Sequence, residues 1–346
     1  MARRILGFSL VLAPIVLALD LAGTGDVVLF VVAAAALIPL AWLIGEATEH
    51  AAHHTGPGIG GLLNATFGNA PELIIALFAI SRGLPEVVRG SLSGSVIGNL
   101  LLVLGFSLLF GGKGELDRWS SLLSLGLISV AALLFLVPAI PGWTGNPERH
   151  SLAVASIPVS IVLLALYAVV IVYALRRHRA LHVSDEPSTM AAWSFKRSLA
   201  VLGLATAVTA IVAEILVGSI ETFAEHVGLS DFFVATVIVA IVGNAAEHGG
   251  AVIVAARGKI KLAVEIALSS SAQVAVFLIP AVCLLSWAVT PALPLAFREV
   301  EIAAVAGAML FVALVLWGGR SSRGRGLVLI GAYVGVAAAF FAAGDR

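Results

Sequence analysis

Two glutamates lie in stretches of sequence that are more apolar than the segments that normally carry a carboxylate. Glu72 belongs to the motif Gly-Asn-Ala-Pro-Glu-Leu at residues 68–73, and Glu247 belongs to Gly-Asn-Ala-Ala-Glu-His at residues 243–248. An ionised carboxylate in apolar surroundings has a high desolvation cost, so acids inside membrane spans usually have a functional role. These two glutamates are therefore the first candidates for function.

Each motif also carries an asparagine three residues before its glutamate, which places both side chains on one side of a helix. The pairs are Asn69 with Glu72 and Asn244 with Glu247. Carboxylate and amide oxygens are hard donors of the kind that calcium takes, with about 6–8 ligands at about 2.3–2.6 Å. The motifs lack the clustered thiols or imidazoles that a soft transition metal prefers. The four residues together predict a calcium site.

The charge of such a site predicts a mechanism. With Glu72 and Glu247 both ionised, an empty site carries two negative charges in a low-dielectric core, and reorienting it is too costly. One divalent cation neutralises the pair, and so do two protons. If only neutralised states change their orientation, the protein exchanges a divalent cation for protons, and the glutamates serve as ligand and proton carrier in turn.

The composition predicts which kind of element must hold these motifs. Of 346 residues, 60% are hydrophobic and 12% are charged, and the mean hydropathy is +1.08. Soluble domains have about 25% charged residues. The chain is therefore predicted to be an all-α polytopic membrane protein, since lipid-facing backbone must satisfy its hydrogen bonds locally. The zero net charge gives no indication of a nucleic-acid partner, and the single Cys283 excludes a disulfide framework.

Apolar segments long enough to cross the membrane as helices occur eleven times. The first resembles a signal peptide, but without a small-residue cleavage site before Asp20 it is interpreted as a retained span. The predicted spans are Ile5–Gly23, Val27–Gly45, Ile59–Ile80, Val87–Phe110, Leu122–Ile140, Leu152–Leu175, Leu199–Val217, Phe232–Ala256, Leu262–Trp287, Ile302–Gly318 and Leu327–Ala343.

The distribution of positive charge predicts the orientation. With the N-terminus inside, fifteen of the 20 Lys and Arg residues lie on the cytoplasmic side and five lie outside. Cytoplasmic loops are enriched in these residues. The prediction is a prokaryotic cell (inner) membrane protein with its N-terminus in the cytoplasm and its C-terminus outside.

The two motifs belong to a longer internal repeat. The offset of 175 residues that relates them also carries Arg82 onto Arg257 and Gly83 onto Gly258. The predicted units are an extra N-terminal helix (1–26), a first five-helix repeat (27–175), a cytoplasmic linker (176–196) and a second five-helix repeat (197–346). Because five is odd, the second repeat is inverted, which is typical of secondary transporters with a site at the midplane. The Gly and Pro residues of the motifs predict bent or broken helices there.

The pair of motifs resembles the two signature repeats of the calcium/proton exchangers within the calcium:cation antiporter superfamily. The resemblance covers nearly the whole chain and includes residues 98–105 and 270–273. It implies that Glu72 and Glu247 bind the transported ion, and that the spans around them carry supporting ligands and gates. The implied supporting ligands are Asn69, Asn244, Asn99 and Gln273. The implied gate or vestibule residues are Glu46, Glu214, Glu221 and, as a proton-relay candidate, His248.

Each residue has an alternative structural interpretation. In this interpretation the two motif glutamates form a polar pair that fixes helix packing, and Asn99 and Gln273 form hydrogen bonds between helices. The gate candidates are then ordinary solvated carboxylates near the span ends. His50, His53 and His54 have helical spacing that suits a zinc site, but a wet surface is favoured for them.

The sequence thus predicts a secondary active antiporter, not an enzyme, that exchanges cytoplasmic Ca²⁺ for protons. The expected partners are Ca²⁺, protons and the lipid bilayer, with no cofactor, since Ca²⁺ is the substrate; the oligomeric state is not predicted. A sodium-coupled cation exchanger on the same fold is the main alternative. An intramembrane protease would need a nucleophile or a water-activating metal near the glutamates, and a passive channel fits broken, symmetric helices less well.

Overall fold

A computed structural model of the chain describes residues 2–180, 193–289 and 291–345. Within its helices the side chains of residues 2–4, 56–62, 64–65, 174–180 and 246–248 lie outside the described part. Most of the predicted linker at 176–196 lies outside it as well. The described residues are almost entirely helical, which confirms the all-α class.

The helices follow one another with short connections. In chain order they are α1 Ala2–Ser9, α2 Leu12–Leu21, α3 Asp26–Phe67, α4 Ala70–Ser81, α5 Pro85–Gly111, α6 Arg118–Gly142, α7 His150–Ala180, α8 Phe195–Gly218, α9 Ile220–Val227, α10 Asp231–Gly243, α11 Ala245–Ala256, α12 Ile260–Ala288, α13 Glu299–Leu316 and α14 Arg323–Ala343. Strands of two residues are β1 Gly114–Glu115 and β2 Arg320–Ser321. Helices α5, α10 and α12 contain π-helical segments, at Gly98–Val103, Val234–Val239 and Val274–Leu278.

Many of these helices are suited to a membrane. Among the described residues, 8 helices are long and apolar enough to cross a bilayer, or 9 if α9 and α10, which are bent by 111°, count as one crossing. The segments Ile5–Leu21 and Ala70–Ser81 are shorter apolar helices. The polytopic membrane class is confirmed, whereas the total of eleven spans stays a prediction.

The structure departs from the predicted spans in α3. The sequence predicted that one span ends at Gly45 and the next begins at Ile59, because the residues between them are polar. Helix α3 instead continues through this stretch without a break. Residues 46–55 contain neither Gly nor Pro, so the helix has no local reason to end at Gly45. It also continues through Gly56, Pro57 and Gly58.

Both motifs interrupt a helix, as predicted. Helix α3 ends and α4 begins around Asn69, and α10 ends and α11 begins around Asn244. The backbone angles agree closely, with φ −99° and ψ 15° at Asn69 and φ −87° and ψ 2° at Asn244. Helices α4 and α11 both have 12 residues, and each is followed by a glycine with positive φ, Gly83 or Gly258. The local fold is therefore the same at both copies.

Helices α5 and α12 lie at the centre of the bundle. In their most apolar windows 83% and 67% of the residues are buried in the protein, compared with 22% in α13 and in α14. Helix α5 packs against α4, α10, α11 and α14, and α12 packs against α6, α7 and α11. Helices α3 and α8 lie along each other beside this group. Ser91, Ser93, Ser95 and Asn99 of α5 and Ser270 and Ser271 of α12 are buried in the protein.

Helix α5 approaches the π segment of α10 very closely. A Cβ added to Gly90 would lie 2.7 Å from Thr236 Oγ1, and one added to Gly94 would overlap the Thr236 carbonyl oxygen. Only glycine permits so short a distance between the two helix backbones, as at other close helix contacts in membranes. The contact fixes the serine-bearing face of α5 against the end of α10.

The two strands mark one end of the bundle, which we call the strand face. They pair antiparallel, with Gly114 opposite Ser321. A Cβ at Gly114 would meet the side chain of Ile260, so the loop before α12 lies at the same end. The strand face therefore contains the loops α5–α6, α11–α12 and α13–α14, which the charge distribution predicts to be cytoplasmic.

Asp117 caps α6 at the strand face. Its carboxylate accepts hydrogen bonds from the backbone N–H of Trp119 at 3.0 Å and of Ser120 at 3.1 Å, and it pairs with Lys261 Nζ at 3.2 Å. The hydrogen bonds from Ser120 and Lys261 lower the pKa of the Asp117 carboxyl, so the group is ionised at neutral pH. The pair links the start of α6 to the start of α12.

Charged groups anchor the opposite end of α5 to its neighbours. The guanidinium of Arg89, which is 1% exposed, donates to Glu148 at 2.6 Å and to the Pro294 carbonyl at 3.3 Å. Glu301 of α13 is fully buried and accepts the Ser93 hydroxyl at 2.7 Å. These contacts hold α5 to the loops α6–α7 and α12–α13.

Candidate cation site

Glu72 is positioned by the helix break that precedes it. Pro71 lies in the first turn of α4, where its missing N–H leaves no hydrogen bond unmade. Glu72 follows in the same turn and is only 7% exposed. Its side chain lies against the second motif, since a Cβ at Gly243 would be 3.3 Å from Glu72 Cγ and 3.5 Å from Oε1. The two motifs therefore meet inside the bundle.

A small cavity adjoins the Glu72 carboxylate. It has a volume of about 10 Å³ and is lined by Ser91 and Ser95 of α5 and by Ala240 and Gly243 of α10, among others. This volume is about that of one water-sized sphere. The space beside the carboxylate thus has room for a single small occupant within reach of carboxylate and hydroxyl oxygens, while Ile75, Leu92 and Val239 form the apolar part of its wall.

Two hydrogen bonds between an amide and a serine connect the halves of the chain. Asn244 Nδ2 donates to Ser95 Oγ at 2.6 Å and to the Ala240 carbonyl at 3.0 Å. Asn99 Nδ2 donates to Ser270 Oγ at 3.3 Å. All four side chains are buried. Each bond joins a residue of one motif-bearing half to a residue of the other. Ser95, the partner of Asn244, lines the cavity beside Glu72.

The sequence prediction missed the two serines. Ser95 and Ser270 are separated by 175 residues, the same offset that relates the two motifs. This offset is the sequence feature from which they could have been predicted as a symmetric pair. Their residue type alone carries little information, because serine in a helix commonly bonds its own backbone. Ser95 does so too, donating to the Ser91 carbonyl at 2.9 Å.

The remaining predicted site residues have different placements. Asn69 is 1% exposed in the break before α4, and Gln273 is half-buried on α12, directly before its π segment. Glu247 and His248 belong to α11, but their side chains lie outside the described residues. Their predicted roles stay predictions.

A wide cleft leads from the strand face toward this region. Its water-accessible volume is about 620 Å³, and its lining includes Glu46 and Glu49 of α3, Gly68 of the first motif, and Ile266 and Ser270 of α12. Because α12 begins at the strand face and runs inward from Ile266 to Ser270, the cleft opens toward that face. It reaches Gly68, which lies four residues before Glu72, on the other side of the helix break at Asn69.

The acidic gate candidates lie at two ends of the molecule. Glu46 is on the cleft wall and lies 3.5 Å from His50. Glu214 lies near the other end, where it pairs with Arg82 at 3.9 Å, and both side chains are about half exposed. Glu221 is exposed in the first turn of α9. The structure thus separates Glu46 from the other two.

The histidines of α3 pack against the end of the linker. The His50 ring stacks on Trp193 with centroids 4.7 Å apart, and His54 Nε2 lies 2.7 Å from the Trp193 carbonyl oxygen. Within the part of the chain that the structure describes, no group of three His, Cys, Asp or Glu side chains is arranged to hold a metal ion.

One known protein family matches most of the chain. The family model of the sodium/calcium exchanger protein matches residues 26–176 and 197–342. The chain belongs to the sodium/calcium exchanger protein family. The two matched parts of this exchanger lie on either side of the predicted linker, and each contains one of the glutamate motifs.

Relatives within the family are named as cation/proton exchangers. The chain is 40% identical over 325 residues to the Ca²⁺/H⁺ antiporter ChaA of Bacillus subtilis (strain 168), covering 91% of this chain and 92% of that one. It is 36% identical to the Ca²⁺/H⁺ antiporter of Synechocystis sp. (strain ATCC 27184 / PCC 6803 / Kazusa), covering 96% and 95%. The resemblance to the calcium/proton exchangers is therefore confirmed.

Solved structures show the same fold for this exchanger. The structure of native YfkE matches with a TM-score of 0.82 and 36% identity over 95% of this chain and 97% of that chain. The H⁺/Ca²⁺ exchanger CAX matches with a TM-score of 0.75 over 99% and 92%, at 14% identity, which supports the fold alone.

Proposed function

We propose that this protein is a secondary active antiporter that exchanges Ca²⁺ for protons by alternating access, with Glu72 and Glu247 binding either ion in turn. The observation that carries the proposal is the contact between the buried Glu72 and Gly243 of the second motif. Glu72 lies four residues beyond Gly68, which the cleft from the strand face reaches. The Ca²⁺/H⁺ antiporters among its relatives support the choice of ions.

The donor set around Glu72 favours a hard cation. Glu72, Ser91 and Ser95 bring carboxylate and hydroxyl oxygens to one small cavity, and Asn244 bonds to Ser95 beside it. Calcium takes oxygen ligands with variable geometry, whereas magnesium demands a nearly ideal octahedron. In the proposal Glu247 adds the second carboxylate, and Asn69, Asn99 and Gln273 are supporting ligands. No cofactor takes part, and the protein is a transporter and not an enzyme because no covalent bond changes.

Charge neutralisation couples the two ions. Two ionised carboxylates in a bundle of low dielectric strongly disfavour movement of the empty site through the closed state. A bound Ca²⁺ removes this charge, and so do two protons. Since the ions compete for the same carboxylates, release of one on each side follows binding of the other.

We further propose that the chain consists of an N-terminal helix (1–26) and two inverted five-helix repeats (27–175 and 197–346) joined by a cytoplasmic linker (176–196). The equal lengths of α4 and α11, and the matching angles at Asn69 and Asn244, support this division. The repeats place one motif from each half at the middle of the bundle, as inverted-repeat transporters do. The excess of basic residues near the strand face supports a cytoplasmic N-terminus.

Helices α3 and α8 serve as the gates in this proposal. Glu46 of α3 lies in the open cleft, while Glu214 of α8 and Glu221 of α9 lie toward the closed end. At that end α9 is held to α3 by the stacked rings of Phe30 and Phe223, 4.1 Å apart. Opening the closed end requires this contact to separate as α3 closes the cleft.

A transport assay tests the function. The protein is reconstituted in liposomes, a pH gradient is imposed, and Ca²⁺ entry is followed with and without Na⁺. The proposal expects Ca²⁺ uptake that depends on the pH gradient and needs no sodium. Uptake that requires Na⁺ would establish the sodium-coupled alternative, and uptake that ignores the gradient would establish a channel.

Single substitutions test the two glutamates. Glu72→Gln and Glu247→Gln keep the side-chain shape and remove the charge, so each is expected to abolish exchange while the protein still inserts and purifies as a folded bundle. Glu299→Gln, at an exposed position at the start of α13, is the matched control and retains transport. Retained exchange in either motif variant would contradict the assigned roles.

A further inference from the structure

Basic residues without acidic partners cluster around the strand pair. Lys113, Arg118, Arg320 and Arg323 are exposed, and among the described residues none of them forms an ion pair. Of the nearby acids, Asp117 is paired with Lys261, and Glu115 lies opposite Arg320 in the strand register without an ion pair. We call these four residues the basic platform. Its charge is uncompensated within the described protein.

The platform is built on fixed backbone. The Leu116 N–H donates to the Gly319 carbonyl at 2.9 Å, and the Ser321 hydroxyl donates to the Gly112 carbonyl at 2.7 Å. The stem of Arg118 lies over Gly319, where an added Cβ would be 2.9 Å from Arg118 Cδ. The pairing of β1 with β2 therefore holds together the backbone segments that carry the platform residues.

Two exposed tryptophans border the platform. Trp119 is 73% exposed and Trp317 is 68% exposed. The Arg118 guanidinium lies over the Trp317 ring, 5.9 Å from its centroid. Tryptophan is enriched where a span meets the headgroup region, because its ring is apolar and its N–H is polar. These rings place the platform at the level of lipid headgroups.

Exposed leucines continue this surface toward the hydrocarbon. Leu122 and Leu123 follow Trp119 by one turn and are 50% and 49% exposed, and Leu314 precedes Trp317 by about one turn and is 71% exposed. Basic, aromatic and aliphatic side chains thus succeed one another along α6 and α13. A soluble anion would use only the first of these layers, whereas a phospholipid uses all three.

We propose that the basic platform binds the phosphate headgroup of an anionic phospholipid, whose acyl chains lie along the exposed leucines of α6 and α13. Juxtamembrane Lys and Arg residues attract anionic lipids, and basic pockets at helix ends bind their headgroups. Planar guanidinium groups suit the phosphate oxygens of the headgroup. This binding is separate from the transport site and does not depend on the transported ion.

Lipid-dependent thermal stability tests the proposal. Wild-type protein in neutral detergent is titrated with phosphatidylglycerol or with phosphatidylcholine, and the melting temperature is followed. The double variant Arg118→Gln/Arg323→Gln is expected to need on the order of tenfold more phosphatidylglycerol for the same shift. The control Arg257→Gln/Lys259→Gln removes the same charge at exposed positions of the α11–α12 loop and is expected to respond as wild type.

Three outcomes would overturn the proposal. They are an unchanged response of the platform variant, an equal loss in the control variant, and an equal shift of the wild type by soluble glycerol phosphate. Wild-type protein alone provides a second measurement if the platform variant does not fold. A phosphatidylglycerol with a photoreactive headgroup is expected to label residues 113–123 and 317–323, and labelling spread equally over residues 193–197 would contradict the site.

Discussion

The environment of Glu72 explains why its neighbour must be small. Burying a carboxylate in a membrane bundle is costly unless other groups or an ion compensate its charge. Gly243 allows the carboxylate to approach the second motif, and Ser95 and Asn244 supply polar atoms nearby. The space left beside Glu72 is small, so added volume competes directly with the ion.

Gly243→Ala tests this competition. The new methyl group would lie 3.3 Å from Glu72 Cγ, which is tight enough to displace the carboxylate. The Ca²⁺ concentration for half-maximal transport is expected to rise about tenfold, with the protein still folded. Gly249→Ala is the control, because a Cβ there meets nothing within 4 Å. Equal transport by both variants would show that Glu72 does not use this contact.

Ser95→Ala tests the missed serine. The substitution removes a hydroxyl oxygen and leaves Asn244 Nδ2 with only its bond to the Ala240 carbonyl. Loss of one buried hydrogen bond is worth about 1 kcal/mol, so the half-maximal Ca²⁺ concentration is expected to rise about five- to tenfold in the liposome assay. Ser107→Ala, a buried serine 12 residues further along α5, should leave it unchanged. A wild-type value for the Ser95 variant would remove this serine from the site.

At the scale of elements, α5 is the central helix against which the helices of the site pack. It carries Ser95 and Asn99, contacts α10 through its glycines, and is held at one end by Arg89. Its π segment contains Asn99, and such segments are common at functional sites. The precision of the site therefore depends on how closely α5 packs against α10.

Gly94→Ala tests this packing. A Cβ at Gly94 would overlap the Thr236 carbonyl, so α5 and α10 must separate. Overpacking of this kind costs about 1–3 kcal/mol, and the melting temperature in detergent is expected to fall by several degrees together with transport. Gly98→Ala lies one turn further on α5, and its Cβ would meet nothing within 4 Å. Because Ala is the better helix former, helix propensity alone would stabilise both variants. A Gly98 variant that is equally destabilised would show that the loss does not depend on the contact with α10.

At the scale of the whole molecule, the cleft is open toward the strand face, while ring stacking and ion pairs hold α3, α4, α8 and α9 together at the other end. Alternating access requires that only one end is open at a time. Under the proposed mechanism, the described conformation is the one in which the site communicates with the strand face.

Cysteine accessibility tests both the open side and the orientation. In a Cys283→Ala background, Ser269→Cys lies in the cleft and Thr144→Cys in the loop at the opposite end. A membrane-impermeant thiol reagent is expected to label Ser269→Cys from the cytoplasmic side and Thr144→Cys from the outside. Labelling of both from one side would contradict the topology, and exchanged sides would invert the orientation.

The sequence by itself determined the class of the protein and the identity of the two motifs. Sustained apolar segments require a helical membrane protein because the bilayer offers no hydrogen bonds to the backbone. The motif breaks at Asn69 and Asn244 were also predictable, because Gly and Pro act through local backbone energetics. The continuation of α3 past Gly45 was not, since a polar composition does not terminate a helix.

Only the tertiary structure decided which side chains meet. Glu72 lies against Gly243, Asn244 bonds to Ser95, and these contacts join residues that are far apart in the chain. Periodicity and motif spacing act over one or two helical turns, whereas the packing of α5 against α10 depends on shape complementarity across the whole bundle. The one-sided cleft is likewise a property of how α3 and α12 are arranged, which no local signal in the chain specifies.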